Sequence, residues 1–387
     1  MRKLLIIQHY GGIGGSGIGL LTTIEALSAF YSITVYCPET PDSLFYYYKG
    51  LGINVKFIRA KIGALHFYNG GTRIVSPNFW KSFFNIFKSY RYWEKVFLDE
   101  KPDLVLVNSM IMAWMQIPAR RCNVKIICHV RETLPSILCI RKILIHRWLN
   151  RFDGVMFISK YDMKKHSLRT KQTIVPDSLR QDIYYYAGEP FSVSRKILFV
   201  GGTDPIKGLH VLLRALKYVD NDIKVIIAGK IPTCYLENEK ITLKLGLKQI
   251  MYYFRVKPSL KNHDIMNHVT IVGQCNDITK LYEDCDFVVF PSQTPHQSRP
   301  VIEAGQFRKP AIISDFKATR ENLINDFNGK TFRYNSPKSL AKCIREMYKD
   351  FAKLQEMGNH NYEMTMANHS FDYMKKELLK FVDDILE

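Results

Sequence analysis

Ten short apolar runs recur along this sequence, separated by stretches with the three-to-four-residue spacing of amphipathic helices. They are Leu4–Gln8, Ile33–Tyr36, Leu104–Asn108, Val124–Cys128 and Gly154–Ile158, then Ile197–Val200, Lys224–Ala228, Val269–Val272, Phe287–Phe290 and Ala311–Ser314. A strand apolar at nearly every position is buried on both faces, and helices between such strands supply the crossovers of a parallel sheet. The pattern therefore predicts an α/β chain. It falters between about Asp177 and Arg195, a polar, tyrosine-rich stretch holding Gly188-Glu189-Pro190, and 387 residues are too many for one ordinary domain. The boundary is placed there. Residues 1–185 and 186–365 each read as a doubly wound, Rossmann-like sheet, and 366–387 as a C-terminal helix expected to pack back on the first domain. Ligands of such sheets bind beyond the carboxyl ends of the strands, here expected in the cleft between the domains.

No stretch approaches the ~20 apolar residues of a membrane span. The opening Met1-Arg2-Lys3 and Leu4–Ile7 reads as a first buried strand, its apolar run being too short for a signal peptide, so a cytoplasmic protein is expected. Eight cysteines form no C-x-x-C pair and imply neither a zinc site nor a disulfide framework. The charge is uneven: 26 basic and 13 acidic residues in 1–190, against 29 and 23 in 191–387. Nucleic acid, an anionic lipid surface and phosphorylated substrates all suit such a first half.

Three constellations carry chemistry. After the first strand comes Gly11-Gly12-Ile13-Gly14-Gly15-Ser16-Gly17-Ile18-Gly19, then a helical Leu20–Leu27. Glycines admit backbone amides close to a ligand, and a helix N-terminus favours phosphate. Gly12-x-Gly14-x-x-Gly17 with Glu39 also fits a dinucleotide fingerprint, which leaves an NAD-dependent oxidoreductase open at this point. A second glycine loop, Gly201 to Gly208, places Lys207 at the start of a helix, where it can neutralise a diphosphate. The third is Pro291-Ser292 through Glu303-Ala304-Gly305, where Pro300 suits a first helical position and Ser298 or Arg299 the N-cap. Glu303 then lies in the first turn, either serving a ligand or bonding Arg299.

Pro291-Ser292, Glu303-Ala304 and Gly305-x-x-x-Lys309-Pro310-Ala311-Ile312 together resemble the nucleotide-sugar signature of retaining family-4 glycosyltransferases with the GT-B fold. Gly14-Gly15, Phe157-Ile158-Ser159, Gly201 six residues before Lys207-Gly208, Val272-Gly273, Leu281-Tyr282-x3-Asp286-Phe287 and Asn328-Gly329 follow in the family's order. The resemblance implies two Rossmann-like domains and a nucleoside-diphosphate-sugar donor, a UDP-sugar or a GDP-sugar. It implies that Glu303 receives the ribose hydroxyls, that Lys207 and Gly201 hold the diphosphate, and that amides around Ser298 and Arg299 face phosphate and sugar. Gly14 and Gly15 would approach the donor from the opposite domain, and His129, in His129-Val130-Arg131-Glu132, resembles a catalytic position near the transferred sugar. No metal and no cofactor is implied. Asp284-Cys285-Asp286 spells the D-x-D of metal-dependent transferases but falls between a helix and a strand.

Two departures stand out. The family pairs two glutamates eight positions apart, and the first falls here on Pro295; an arginine common after the first glycine of the second loop is Gly202. Arg299 is expected to replace that arginine on the phosphates, and His296 to take the sugar contact. The most aromatic stretch puts Phe79, Phe83, Ile86, Tyr90, Trp93 and Phe97 on one helical face and Lys81, Lys88 and Lys95 on another; Trp80 and Arg91 lie beside them. This reads as an interfacial helix for an anionic membrane and the acceptor, or as a core helix. The expected activity is transfer of a sugar, with retention, to a lipid-linked or growing glycan at the inner face of the cytoplasmic membrane, in surface polysaccharide (capsule or lipopolysaccharide) assembly, with no nucleic-acid partner. The alternatives are a non-catalytic sugar-nucleotide-binding protein, an acceptor-independent enzyme such as an epimerase, and the oxidoreductase.

Overall fold

Among the described residues, seven strands form one sheet and six another, every pairing parallel, as continuous apolar runs between helices require. The computed structural model describes residues 1–13, 15–59, 63–64, 77–134, 140–179, 193–236, 247–275, 278–295 and 297–387. Two compact units emerge: Met1–Arg180 with His369–Glu387, and Gln181–Asn368.

In the first unit the strands are β1 (Arg2–Ile7), β2 (Tyr31–Pro38), β3 (Val55–Ile58), β4 (Leu104–Val107), β5 (Ile126–Val130), β6 (Gly154–Phe157) and β7 (Lys171–Ile174), in the order β3-β2-β1-β4-β5-β6-β7. The order reverses between β1 and β4, and the loops leaving those two strands therefore lie side by side. The C-terminal helix Phe371–Leu386 belongs to this unit. Gly154 gives it room: a Cβ there would lie 2.4 Å from the Phe381 ring.

In the second unit they are β8 (Lys196–Val200), β9 (Lys224–Ala228), β10 (Val269–Gly273), β11 (Phe287–Phe290), β12 (Ala311–Ser314) and β13 (Gly329–Phe332), in the order β10-β9-β8-β11-β12-β13. Alternation divides the core between the sheet's faces. Ile197, Phe199, Val225, Ile227, Phe287 and Val289 point one way; Leu198, Ile226, Ala228, Val288 and Phe290 point the other. Here the order reverses between β8 and β11, which brings together the glycine loop after β8 and the Pro291 segment after β11.

The aromatic stretch is a helix, Pro77–Glu100, and its expected membrane face is corrected by its packing. Phe79, Ile86, Trp93 and Phe97 are buried in the first unit's core, and Phe83 and Tyr90 pack against it. Each such side chain withdraws apolar area worth roughly 1.5–3 kcal/mol, which fixes the helix's rotation. Another stripe faces out: Trp80, Phe84, Phe87 and Leu98, 46–60% exposed, with Lys81, Lys88, Arg91 and Lys95 exposed alongside. Among the described residues no helix is long and apolar enough to cross a membrane.

Candidate active site

In the second unit, backbone geometry sets the two loops before any side chain acts. Gly201 and Gly202 donate their amides to the Ala228 carbonyl at 2.9 and 3.0 Å, and the Thr203 amide bonds Lys230 O at 3.1 Å. Gly202 is left-handed (φ +52°), and a Cβ on it would lie 2.2 Å from the Lys230 carbonyl oxygen. Gly229, in the facing loop, has φ +116° and would meet Gly202 N at 2.5 Å. The arginine that the family resemblance expects at 202 thus has no place on this backbone. Gly202→Arg is expected to destabilise by roughly 1–3 kcal/mol from the left-handed conformation, plus the clash, without improving donor affinity. Thermal unfolding and nucleotide titration of the variant measure both.

Asp204 caps the short turn Pro205–Lys207, accepting from the Ile206 amide at 3.1 Å. The Ile206 carbonyl accepts from Gln293 N at 2.7 Å, and a Cβ on Gly208 (φ +79°) would lie 1.9 Å from Pro291 O. These contacts lock the two loops to each other. Lys207 Nζ stands 5.1 Å from the Phe290 ring centroid. Burial pulls its pKa below the usual lysine value, while the charges of Asp204 and Glu303 act in the opposite direction.

Pro300 is the second residue, not the first, of the helix Arg299–Gln306, whose N-cap is the buried Ser298. Glu303 Oε1 accepts from Arg299 Nε at 2.7 Å and Oε2 from the Tyr282 hydroxyl at 2.6 Å. The arginine contact is the local one that the i, i+4 spacing allows. Tyr282 is a site residue that sequence reasoning passed over, although it stands inside a quoted motif. Its ring, stacked on Phe307 with centroids 5.4 Å apart, is buried, and that burial pushes its phenol far above the usual range. The structure therefore brings Gly201, Lys207, Ser298, Arg299 and Glu303 to one end of one sheet; His296 and Gly14 lie outside the described residues. The D-x-D is built into the fold. Asp286 accepts from Ser194 N and Oγ, Lys196 N and the Tyr348 hydroxyl at 2.9–3.1 Å, which occupies both carboxylate oxygens.

In the first unit Gly15 opens the helix Gly15–Leu27, five residues earlier than the apolar pattern predicts; it is exposed, and a Cβ on it would meet nothing within 4 Å. His129 lies inside β5 and not beyond its end, and is 1% exposed. Its Nε2 is 3.0 Å from the Val175 carbonyl and must carry the proton, so Nδ1 accepts from Arg131 Nη2 at 3.2 Å. Burial first, then the Arg131 charge, pull its pKa down to about 3 from an ordinary 6.5. Both ring nitrogens are engaged inside the unit.

Below pH 6.5 the unfolded chain takes up a proton that folded His129 refuses. Its stabilising contribution is thus complete above pH 6.5 and is lost at about 1.4 kcal/mol per pH unit as pH falls toward the folded value. His129→Gln is expected to flatten the pH dependence of thermal unfolding between pH 6.5 and 4.

Around it sequence reasoning missed a polar cluster. Arg131 Nε bonds Asn108 Oδ1 at 2.7 Å, Nη2 bonds the Gly19 carbonyl at 3.2 Å, and Nη1 pairs with Asp177. Asn108 Nδ2 in turn bonds Gln8 Oε1 at 2.7 Å, joining the loops after β1 and β4. The glycine run is partly explained by this: a Cβ on Gly19 would lie 2.6 Å from Arg131 Nη1 and 2.8 Å from Asp177 Oδ1.

Residues 189–364 match a family model described as glycosyl transferases group 1, and residues 13–170 one described as glycosyltransferase family 4. An uncharacterized glycosyltransferase of Methanocaldococcus jannaschii is 23% identical over 228 residues, a match spanning 58% of this chain and 55% of that protein's length. Among solved structures, Anabaena HepE in complex with UDP-glucose is similar with a TM-score of 0.76 and 15% identity, over 99% of this chain and 100% of that one. Sucrose-phosphate synthase of Thermosynechococcus elongatus gives 0.74 and 16%, over 100% and 99%. At these identities the likeness to solved structures is one of fold.

Proposed function

We propose that this chain, a GT-B glycosyltransferase of the group 1 and family 4 type, moves a sugar from a nucleoside-diphosphate-sugar donor to a lipid-linked or growing glycan, with retention, in surface polysaccharide assembly. The observation that carries the donor half is the locked loop pair at the switch point of the second sheet, with Lys207 on one loop and the Arg299–Glu303 pair on the other. HepE was solved with UDP and with UDP-glucose, which favours uridine as the base here.

In this reading Lys207 and Arg299 neutralise the diphosphate together with the backbone amides of Ser298 and Arg299, ahead of Pro300. Glu303, held by Tyr282, accepts from the ribose hydroxyls through its remaining lone pairs. The bond from the sugar's anomeric carbon to the diphosphate oxygen breaks, and the acceptor oxygen bonds that carbon on the same face. The acceptor's proton passes to the departing phosphate. The protein's share is electrostatic stabilisation of the leaving group, which needs no protein nucleophile.

UDP at ~100 times its dissociation constant is expected to stabilise the wild-type protein by about 2.7 kcal/mol, and Glu303→Ala is expected to lose that response. Stabilisation by NAD alone would overturn the reading. Binding of UDP without turnover on any acceptor would favour the non-catalytic alternative.

The acceptor half rests on the exposed aromatic and basic stripe of the helix Pro77–Glu100. Aromatic side chains inserted at headgroup level beside lysines suit the anionic inner face of the cytoplasmic membrane. The triple variant Trp80→Ala, Phe84→Ala, Phe87→Ala is expected to lose about 100-fold or more in affinity for phosphatidylglycerol vesicles, since each ring withdraws ~1.5–3 kcal/mol of apolar surface from water. Flotation against phosphatidylcholine vesicles checks it.

A further inference from the structure

Away from the two donor loops, the second unit carries two adjoining recesses of about 570 and 500 Å³ that share Arg214, Lys217 and Asn335 as walls. They lie along the outer side of the helix Leu209–Ala215, between the helix Leu247–Leu260 and the segment that leads from β13 into the helix Pro337–Met347. Arg255 adds a guanidinium to the smaller recess, and Arg333 and Lys338 add two cations to the larger. Among the described residues no acidic one lines either recess. None of these five cations forms an ion pair among the described residues, whereas Arg195, Arg320 and Lys330 of the same unit are all paired. Five like charges around one depression repel one another, and the fold bears that cost without a carboxylate to relieve it.

Two further features point at an anion. The helix Pro337–Met347 begins at the larger recess, with Ser336 as its N-cap, so its positive end faces the same space. His210, 4% exposed, forms part of the floor of the smaller recess. Burial first, then the Arg255 charge, bring its pKa down to about 4, against a hydrogen bond with Asn335.

We infer that this depression is a binding site for a multiply charged phosphate group, carried by a soluble organic phosphate or by a phosphorylated lipid. Guanidinium forks at Arg214, Arg255 and Arg333 match phosphate oxygens pairwise, and a recess of this volume holds more than a single inorganic ion. None of the lining residues belongs to the donor loops, yet His210 follows Lys207 by three residues on the same turn-and-helix. A ligand here would therefore load the helix that follows the Lys207 turn, the lysine that the proposed function places on the diphosphate.

Sodium tripolyphosphate is the probe, titrated at constant ionic strength into Lys207→Ala protein so that the donor loop does not compete. It is expected to bind, and Arg214→Ala with Arg333→Ala in that background is expected to weaken binding by about 100-fold, roughly tenfold for each charged contact. Unchanged affinity in that variant would overturn the proposal. Equal stabilisation by sodium sulfate at matched ionic strength would overturn it too, by reducing the site to a diffuse field. The His210 ring resonances in the wild-type protein give a readout that needs no variant: they must move on titration, and a static His210 at saturation rejects the site. Vesicles containing phosphatidic acid separate the sources. Flotation that depends on Arg214 and Arg333 assigns the phosphate to a lipid, and tripolyphosphate binding without flotation assigns it to a soluble molecule.

Discussion

Lys207→Met is expected to reduce turnover by about 10²–10³-fold while leaving the fold intact. Methionine keeps the stem that packs over Gly201, whose Cβ position lies 2.7 Å from the Lys207 Cβ and Cγ, and removes only the charge. That charge stands in a half-buried position beside the Phe290 ring, where an electrostatic contact is stronger than in water. In the proposed reaction negative charge grows on the diphosphate as the sugar leaves, so the lysine is expected to contribute more to the transition state than to the bound donor. Turnover should therefore fall further than UDP affinity. An equal loss in both would show uniform binding by the lysine, and unchanged turnover would remove it from the site.

Most of the sheet architecture was legible because central strands of a parallel sheet are apolar on both faces. The three strands absent from the apolar runs are Val55–Ile58, Lys171–Ile174 and Gly329–Phe332, and all three are sheet edges. Lys56, Lys171 and Lys330 interrupt them, as edge strands exposed on one side permit. At the two loops that follow β8 and β11 the order of motifs singled out Lys207, Ser298, Arg299 and Glu303, which the fold brings to one end of the sheet, because glycine and proline punctuation marks loop ends. What stayed hidden was every contact made across the sheet. Nothing in the spacing says that Tyr282 reaches Glu303, or that Gly202 backs onto Gly229. The aromatic helix shows the limit most clearly. Two apolar stripes run along Pro77–Glu100, and only packing tells which one faces the core.

Arg131→Met is expected to destabilise the first unit by roughly 3–5 kcal/mol, the usual effect of breaking a buried ion pair from one side. The guanidinium side chain is only 5% exposed and its Asp177 partner 20%, so water cannot easily replace it. Its loss also takes a donor from Asn108 Oδ1, the Gly19 carbonyl and His129 Nδ1. For a unit of this size the change corresponds to a melting temperature lower by about 6–20 °C. Gly19→Ala should act through the same contacts, because its methyl group would push on both members of the pair. The two substitutions are then expected to be strongly non-additive: in the Arg131→Met background, Gly19→Ala should cost at least 1 kcal/mol less than in the wild type. Additive effects in that cycle would mean that Gly19 serves the helix Gly15–Leu27 alone. Non-additivity would show that the last glycine of the run is there to admit the Arg131–Asp177 pair, a packing requirement that a phosphate-binding reading of the run does not supply.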